Sequence, residues 1–372
     1  MNSTIKKIAK QLLPDTVVQK YKIIKQKRKS QHVQGYFSKV LNEMNNTKEE
    51  KRLLLIGTAV SGNLGDQAIS LAEMDFLQTN FPEHTVIEIQ QTLYTNVTEL
   101  VKSMINEKDI LLINGGGFLG TLWPIAENMA RDIIQSFPNN RVIIFPQTIF
   151  FEDSQRGQEE LAKSIDTFQK HSDLTIFVRD QASYSFAQKH FIGGQLTNIY
   201  LVPDIVTSLN YAKKESERNK IVFCLRRDKE KVDHTALLAA VEQYVNNNAN
   251  SSSIVYTDTV INEDLDMYNR QSALNKLLDD FSGAKLVITD RLHGMILSAI
   301  SGTPCLAMNN ISGKVKGAYE WVSYLDYIEY VDNERDVQNK IERLLELNDT
   351  VYVNDELAKK HTVIKEAILK DR

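Results

Sequence analysis

The chain has 372 residues, 42% of them hydrophobic and 25% charged, with a formal net charge of −4. That length suits two domains better than one core, and the net acidity argues against a general nucleic-acid binder. No run approaches the roughly 18 to 20 apolar residues needed to cross a bilayer, and Cys224 and Cys305 each lie in an apolar segment where a packed thiol is expected.

The first 50 residues form a basic arm. Between Lys6 and Lys29 there are nine Lys or Arg and a single Asp15, with Ile5, Ile8, Leu12 and Leu13 at helical spacing. Such an amphipathic helix either lies on an anionic membrane surface through residues 1–45, each cation contributing about 1 kcal/mol, or packs on its own protein. No signal peptide is read, so the expected location is cytoplasmic, with peripheral contact at the inner membrane face as the alternative.

From Arg52 onward, short apolar runs alternate with helical patterns. "RLLLIG" reads as a buried strand and Asp66–Phe81 as the helix after it; "TVIEIQ", "DILLING", "RVIIFPQTI", "LTIFVRD" and "NIYLVPD" follow as strands. Continuous apolar strands separated by helices predict a parallel, doubly wound sheet. The polar interval 210–220 reads as a linker. Beyond it, "IVFCLR", "SSIVYTD", "KLVITD" and "PCLAM" predict a second sheet of the same kind. The expected fold is thus α/β, two tandem Rossmann-like domains at 51–212 and 213–345 facing a cleft, with a helical tail over 346–372.

Ligands of open α/β folds bind beyond the carboxyl ends of the strands, so the informative residues are those just past each apolar run. "GTAVSGNLGDQAI" places Asn63 and Asp66 where a strand meets a helix; it lacks the dinucleotide spacing, and Asp66 reads equally as a helix cap. In "LLINGGGFLG", Asn114 precedes Gly115, Gly116 and Gly117, a bare backbone that either meets a ligand or admits a neighbouring loop. Arg179 is expected to pair with a neighbouring carboxylate or serve an anion, and Asp204 to bind sugar hydroxyls or fix its loop. In the second half, alternation sends Arg226 and Arg227 to opposite sides. Arg291 and His293 flank Leu292 at a strand-to-helix junction. If that junction stays extended they face one way, an anion-binding fork beside a proton donor; the alternative is Arg291 bonded within the protein and His293 as a helix-start residue.

Together, "SGNLGDQAI", "INGGGFL", the arginine closing "VFCLR" and above all "ITDRLHGMILSAISGTPCLAM" resemble the polysaccharide pyruvyl transferase family, from about Leu53 to about Trp321. The resemblance implies a fold similar to two-domain GT-B glycosyltransferases, phosphoenolpyruvate as co-substrate with no further cofactor, and a sugar or lipid-linked oligosaccharide as acceptor of a cyclic pyruvate ketal. Carried over, Arg226, Arg291 and Lys314 would bind phosphoenolpyruvate and His293 would be the general acid. The acceptor would lie near Asn63, Asp66, Asn114, Gly115, Gly116 and Gly117, with Arg179 and Asp204 close by. No metal is expected, because the seven histidines show no paired motif. The rival enzyme on the same fold is a nucleotide-sugar glycosyltransferase in polysaccharide biosynthesis.

Overall fold

The computed structural model describes residues 34–193, 197–212, 218–227, 235–248, 252–309 and 313–370. Two parallel sheets make two Rossmann-like lobes. The first contains β1 (Arg52–Thr58), β2 (Thr85–Gln90), β3 (Ile110–Ile113), β4 (Gly116–Gly120), β5 (Arg141–Phe150), β6 (Leu174–Val178) and β7 (Thr197–Leu201). Its order is β2-β1-β3-β5-β6-β7, with β4 paired to β5. The second contains β8 (Lys220–Cys224), β9 (Ser253–Thr257), β10 (Ala284–Thr289), β11 (Cys305–Met308) and β12 (Ile328–Val331), ordered β12-β11-β10-β8-β9.

Central strands such as β3 and β6 are buried at every position, as helices on both faces of a parallel sheet require. The helices begin on recognisable caps. Ser154 accepts from the Gly157 N–H, Asp180 accepts from Ser183, and Pro124 opens Pro124–Ser136. Leu292–Ile300 closes near Gly302, whose φ of 64° is the left-handed geometry that a side chain resists.

Three sequence expectations are corrected. The helix after β1 is Leu64–Asn80, capped by Asn63 rather than Asp66, because the Asn63 side chain accepts from Gly65 N–H. The glycine run is not all loop: Gly116 begins β4, at φ 141°. "PCLAM" is not the last strand, since β12 pairs beyond it.

The lobes share a continuous apolar core in which Phe76 and Val206 of the first belong to the same buried cluster as Leu277 and Met295 of the second. Across it, Arg270 makes a two-pronged pair with Glu88, Nη1 to Oε1 at 2.6 Å and Nη2 to Oε2 at 2.8 Å. The C-terminal helix Asp355–Leu369 returns to the first lobe, where Arg141 Nη1 donates to Ile368 O at 3.2 Å and Tyr352 Oη donates to Thr207 O. Of the basic arm, residues 1–33 lie outside the described residues. Residues 34–46 form a helix whose Tyr36, Val40 and Met44 are buried on the first lobe. Among the described residues no helix is long and apolar enough to cross a membrane.

Candidate active site

The first lobe contributes the ends of β1, β3, β5, β6 and the segment after β7. Asn63 Nδ2 donates to Asp66 Oδ2 at 2.7 Å, tying together the first turn of Leu64–Asn80. Asn114 is buried, taking Ser70 Oγ on its Oδ1 and donating to Gly115 O. The glycine run after it is packed by protein. Gly115 N donates to Glu73 Oε1 at 2.6 Å, and a Cβ there would come within 2.8 Å of Pro146 O. A Cβ on Gly117 would lie 3.3 Å from Arg179 Nη2. Gly115 thus has a packing reason for its lack of a side chain, while Gly117 is partly exposed.

Arg179 pairs with Asp204, Nη1 to Oδ2 at 2.5 Å, and its Nε donates to Thr148 Oγ1 at 2.9 Å. Asp204 also accepts from Val206 N on Oδ1, so it holds both the guanidinium and its own turn. All three side chains are buried.

In the second lobe, Arg226 is buried and Arg227 exposed. Arg226 N donates to Asp290 Oδ1 at 2.8 Å. Burial pushes the Asp290 carboxyl above its ordinary range, opposed by that hydrogen bond and by the charges of Arg226 and Arg291. Arg291 caps Leu292–Ile300 with extended backbone. Its guanidinium forks onto Asp258, Nε to Oδ1 at 2.8 Å and Nη2 to Oδ2 at 2.9 Å. Lys314 opens Lys314–Val322, and across the seam its charge only partly opposes the burial that raises the Asp66 carboxyl.

His293 does not follow Arg291. The strand ends at Thr289 and the helix starts at Leu292, so the i, i+2 rule for extended chain fails, and the expectation that the two face one way is corrected. The imidazole crosses to the first lobe. Nε2 lies 3.4 Å from Asp204 Oδ2, an ion-pair distance rather than an aligned hydrogen bond, and the ring rests against the backbone of Gly65. Arg291 turns to the loop after β9, which is itself docked on the first lobe through Leu64 N to Thr259 O at 2.8 Å and Ile261 N to Gly62 O at 2.8 Å.

The seam therefore gathers His293, Asp204, Arg179, Asp66 and Lys314 into one charged cluster, with Arg226, Asp290, Arg291 and Asp258 on the second-lobe side. Burial alone would raise the Asp204 carboxyl, yet Arg179 and His293 hold it well below the ordinary range. Burial raises that of Asp66 despite His293, Lys314 and Arg179 nearby. Sequence reasoning missed Asp258 and Glu73, while Thr148 lies in "FPQTI", whose polar residues just past a strand point to the same edge. Of the missed pair, only the position of Asp258, just past a strand in "VYTD", gave a signal. Among the described residues no group of three His, Cys, Asp or Glu is placed to hold a metal ion. Cys224 and Cys305 are buried free thiols, the latter pushed up by burial to about 12.

The family model for "Polysaccharide pyruvyl transferase" matches residues 63–312. General stress protein 30 of Bacillus subtilis is 35% identical over 80% of this chain and 86% of its own length. Pyruvyl transferase 1 of Schizosaccharomyces pombe is 27% identical over 81% and 77%. Among solved structures, an uncharacterized Klebsiella pneumoniae protein superposes with a TM-score of 0.51 at 18% identity, covering 79% of this chain and 98% of that one, a likeness of fold.

Proposed function

The chain belongs to the polysaccharide pyruvyl transferase family, and from that premise we propose that it moves pyruvate from phosphoenolpyruvate onto two hydroxyls of a sugar as a cyclic ketal. The observation that carries the reading is the placement of His293 at the lobe seam, against Asp204, which Arg179 of the first sheet also holds. A proton delivered to C3 of phosphoenolpyruvate makes C2 electrophilic. One sugar hydroxyl adds at C2, the C2–O bond to phosphate breaks, and the second hydroxyl closes the ring. Of the two hydroxyl protons released, one balances the new methyl group and the other leaves with inorganic phosphate.

His293 is assigned the proton transfer to C3, a role worth about 10²–10⁴ in rate. Asp204, kept ionised by Arg179, orients the imidazole and supplies the counter-charge for its protonated form. Arg226, Arg291 and Lys314 are assigned to the phosphate and carboxylate of the donor. Their preorganised charge offsets the developing negative charge of the leaving group. Asp258 holds the Arg291 fork in place. The same reading assigns residues 1–45 to contact with a lipid-linked acceptor at the inner membrane face.

The deciding experiment incubates the protein with phosphoenolpyruvate and candidate sugars. Phosphate release is followed together with the appearance of a product heavier by one pyruvate less one water. Transfer from a UDP- or GDP-sugar, with no consumption of phosphoenolpyruvate, would overturn the proposal. Liposome co-sedimentation with and without residues 1–45 tests the membrane contact, which equal binding would reject.

A further inference from the structure

Beyond the carboxyl edge of the first sheet, β4 and β5 run on together as a two-stranded ledge. Gly116 pairs with Gln147, Leu119 with Ile149 and Gly120 with Phe150, whereas β6 accompanies β5 only as far as Gln147. Side chains alternate along a strand, so Phe150 shares the face of Thr148, about 7 Å farther out. That face looks onto the lobe seam. Thr148 Oγ1 donates to Asp180 Oδ2, and Gly317 of the second lobe packs against Asp180 so closely that a Cβ would lie 2.9 Å from that of the aspartate.

A second segment comes alongside. Thr121 N donates to Phe150 O at 2.9 Å and Glu152 N donates to Thr121 Oγ1 at 3.0 Å, which sets Trp123 and Ile125 next to the ledge. Trp123 directly precedes Pro124–Ser136. Scattered exposed apolar residues are ordinary on a protein surface. Here Phe150 is 36% exposed, Trp123 50% and Ile125 68%, on adjoining segments at one end of the charged cluster.

We propose that Phe150 and Trp123 form a stacking platform for a pyranose ring of the acceptor. Such a ring has one apolar face of C–H groups and a polar rim, which matches an aromatic ledge bordered by the partly exposed Glu152. The identity of the ligand as a sugar rests on the transferase reading; the binding is tested apart from turnover.

The chain has two tryptophans, so a Trp321→Phe variant reports on Trp123 alone by fluorescence. It is titrated with the methyl β-glycosides of glucose, galactose, N-acetylglucosamine and N-acetylmannosamine, with and without Phe150→Ala. At least one sugar is expected to shift the emission, and Phe150→Ala to weaken that sugar about tenfold with an unchanged melting temperature. In turnover, Phe150→Ala and Trp123→Ala are expected to raise the acceptor KM while leaving the KM for phosphoenolpyruvate unchanged. No shift with any of the four sugars, or an affinity indifferent to Phe150→Ala, overturns the platform. A shift without consumption of phosphoenolpyruvate would keep the platform and reject the transferase reading. Turnover indifferent to both substitutions would do the reverse.

Discussion

His293 of the second lobe reaches Asp204 of the first, Nε2 to Oδ2 at 3.4 Å, while Asp204 is already held by Arg179 at 2.5 Å on the same oxygen. The imidazole to which the proton transfer is assigned is borne by one lobe, and the carboxylate facing it by the other. The chemistry assigned to His293 consequently depends on how the lobes meet.

Asp204→Asn keeps the shape and removes the charge. Turnover is expected to fall about 100-fold, within the range for losing a general acid. Stability is expected to fall too, because the buried Arg179 is left uncompensated, a change worth about 3–5 kcal/mol. The pH dependence has a definite sign. A carboxyl held below its ordinary value contributes stability that is present at neutral pH and lost as pH falls below about 4 toward the folded-state value. The variant should therefore lose less stability than the parent on acidification, as denaturant titrations at pH 7 and pH 3.5 would measure.

Gly65→Ala tests the position of the imidazole without touching any charge. A methyl group at Gly65 would sit 2.6 Å from Cγ of the His293 ring, so the side chain must move, while the helical backbone tolerates alanine. The expectation is a fall in kcat of at least about tenfold at equal folded fraction, together with a lower melting temperature, because the same methyl would lie 2.8 Å from His293 Cβ, which only a backbone shift can relieve. Wild-type kcat in this variant would mean that His293 has no positional demand.

The buried strands were legible because parallel strands covered on both faces are continuous apolar runs, as in "RLLLIGT" and "LTIFV". β4, "GGFLG", was not, since its strand character comes from pairing with the outer end of β5 rather than from its residues. β12 is a four-residue strand carrying Glu329 and gives little periodicity. The site was half legible. Strand-end position picked out Arg179, Asp204, Arg291 and His293, but the direction of a side chain at a strand-to-helix junction turns on where the strand ends, and the partner Glu73, inside a helix, carries no local pattern.

Glu73 is fully buried, with Oε1 accepting from Gly115 N and Oε2 without a hydrogen-bond partner. Burial raises its carboxyl well above the ordinary value, which the Gly115 hydrogen bond only partly opposes. The folded protein thus retains a proton that the unfolded chain gives up above about pH 4.3, and stability declines as pH rises from there toward the folded-state value. Glu73→Gln preserves the acceptor to Gly115 and removes the titration. Its melting temperature relative to the parent should rise between pH 5 and pH 8. A constant difference across that range would place an ionised carboxylate under the glycine run.

Arg270 and Glu88 join the lobes through side chains only 5% and 1% exposed, and Thr58 Oγ1 adds a hydrogen bond to Glu88 at 2.7 Å. Removing one ion of such a pair strands the other, so Arg270→Met should cost about 3–5 kcal/mol. Added salt should not reproduce the loss, because buried charges are poorly screened. Converting the stranded partner as well, in Arg270→Met with Glu88→Gln, should recover part of that loss, giving a coupling of about 0.5–3 kcal/mol in denaturant unfolding. The functional consequence follows from where the pair sits. His293 meets Asp204 only while the lobes hold this relation, so the double variant, though partly restored in stability, should show lower kcat than the parent at equal folded fraction. Equal kcat would mean that the apolar core alone sets the lobe angle and that the ion pair acts on stability without reaching the site.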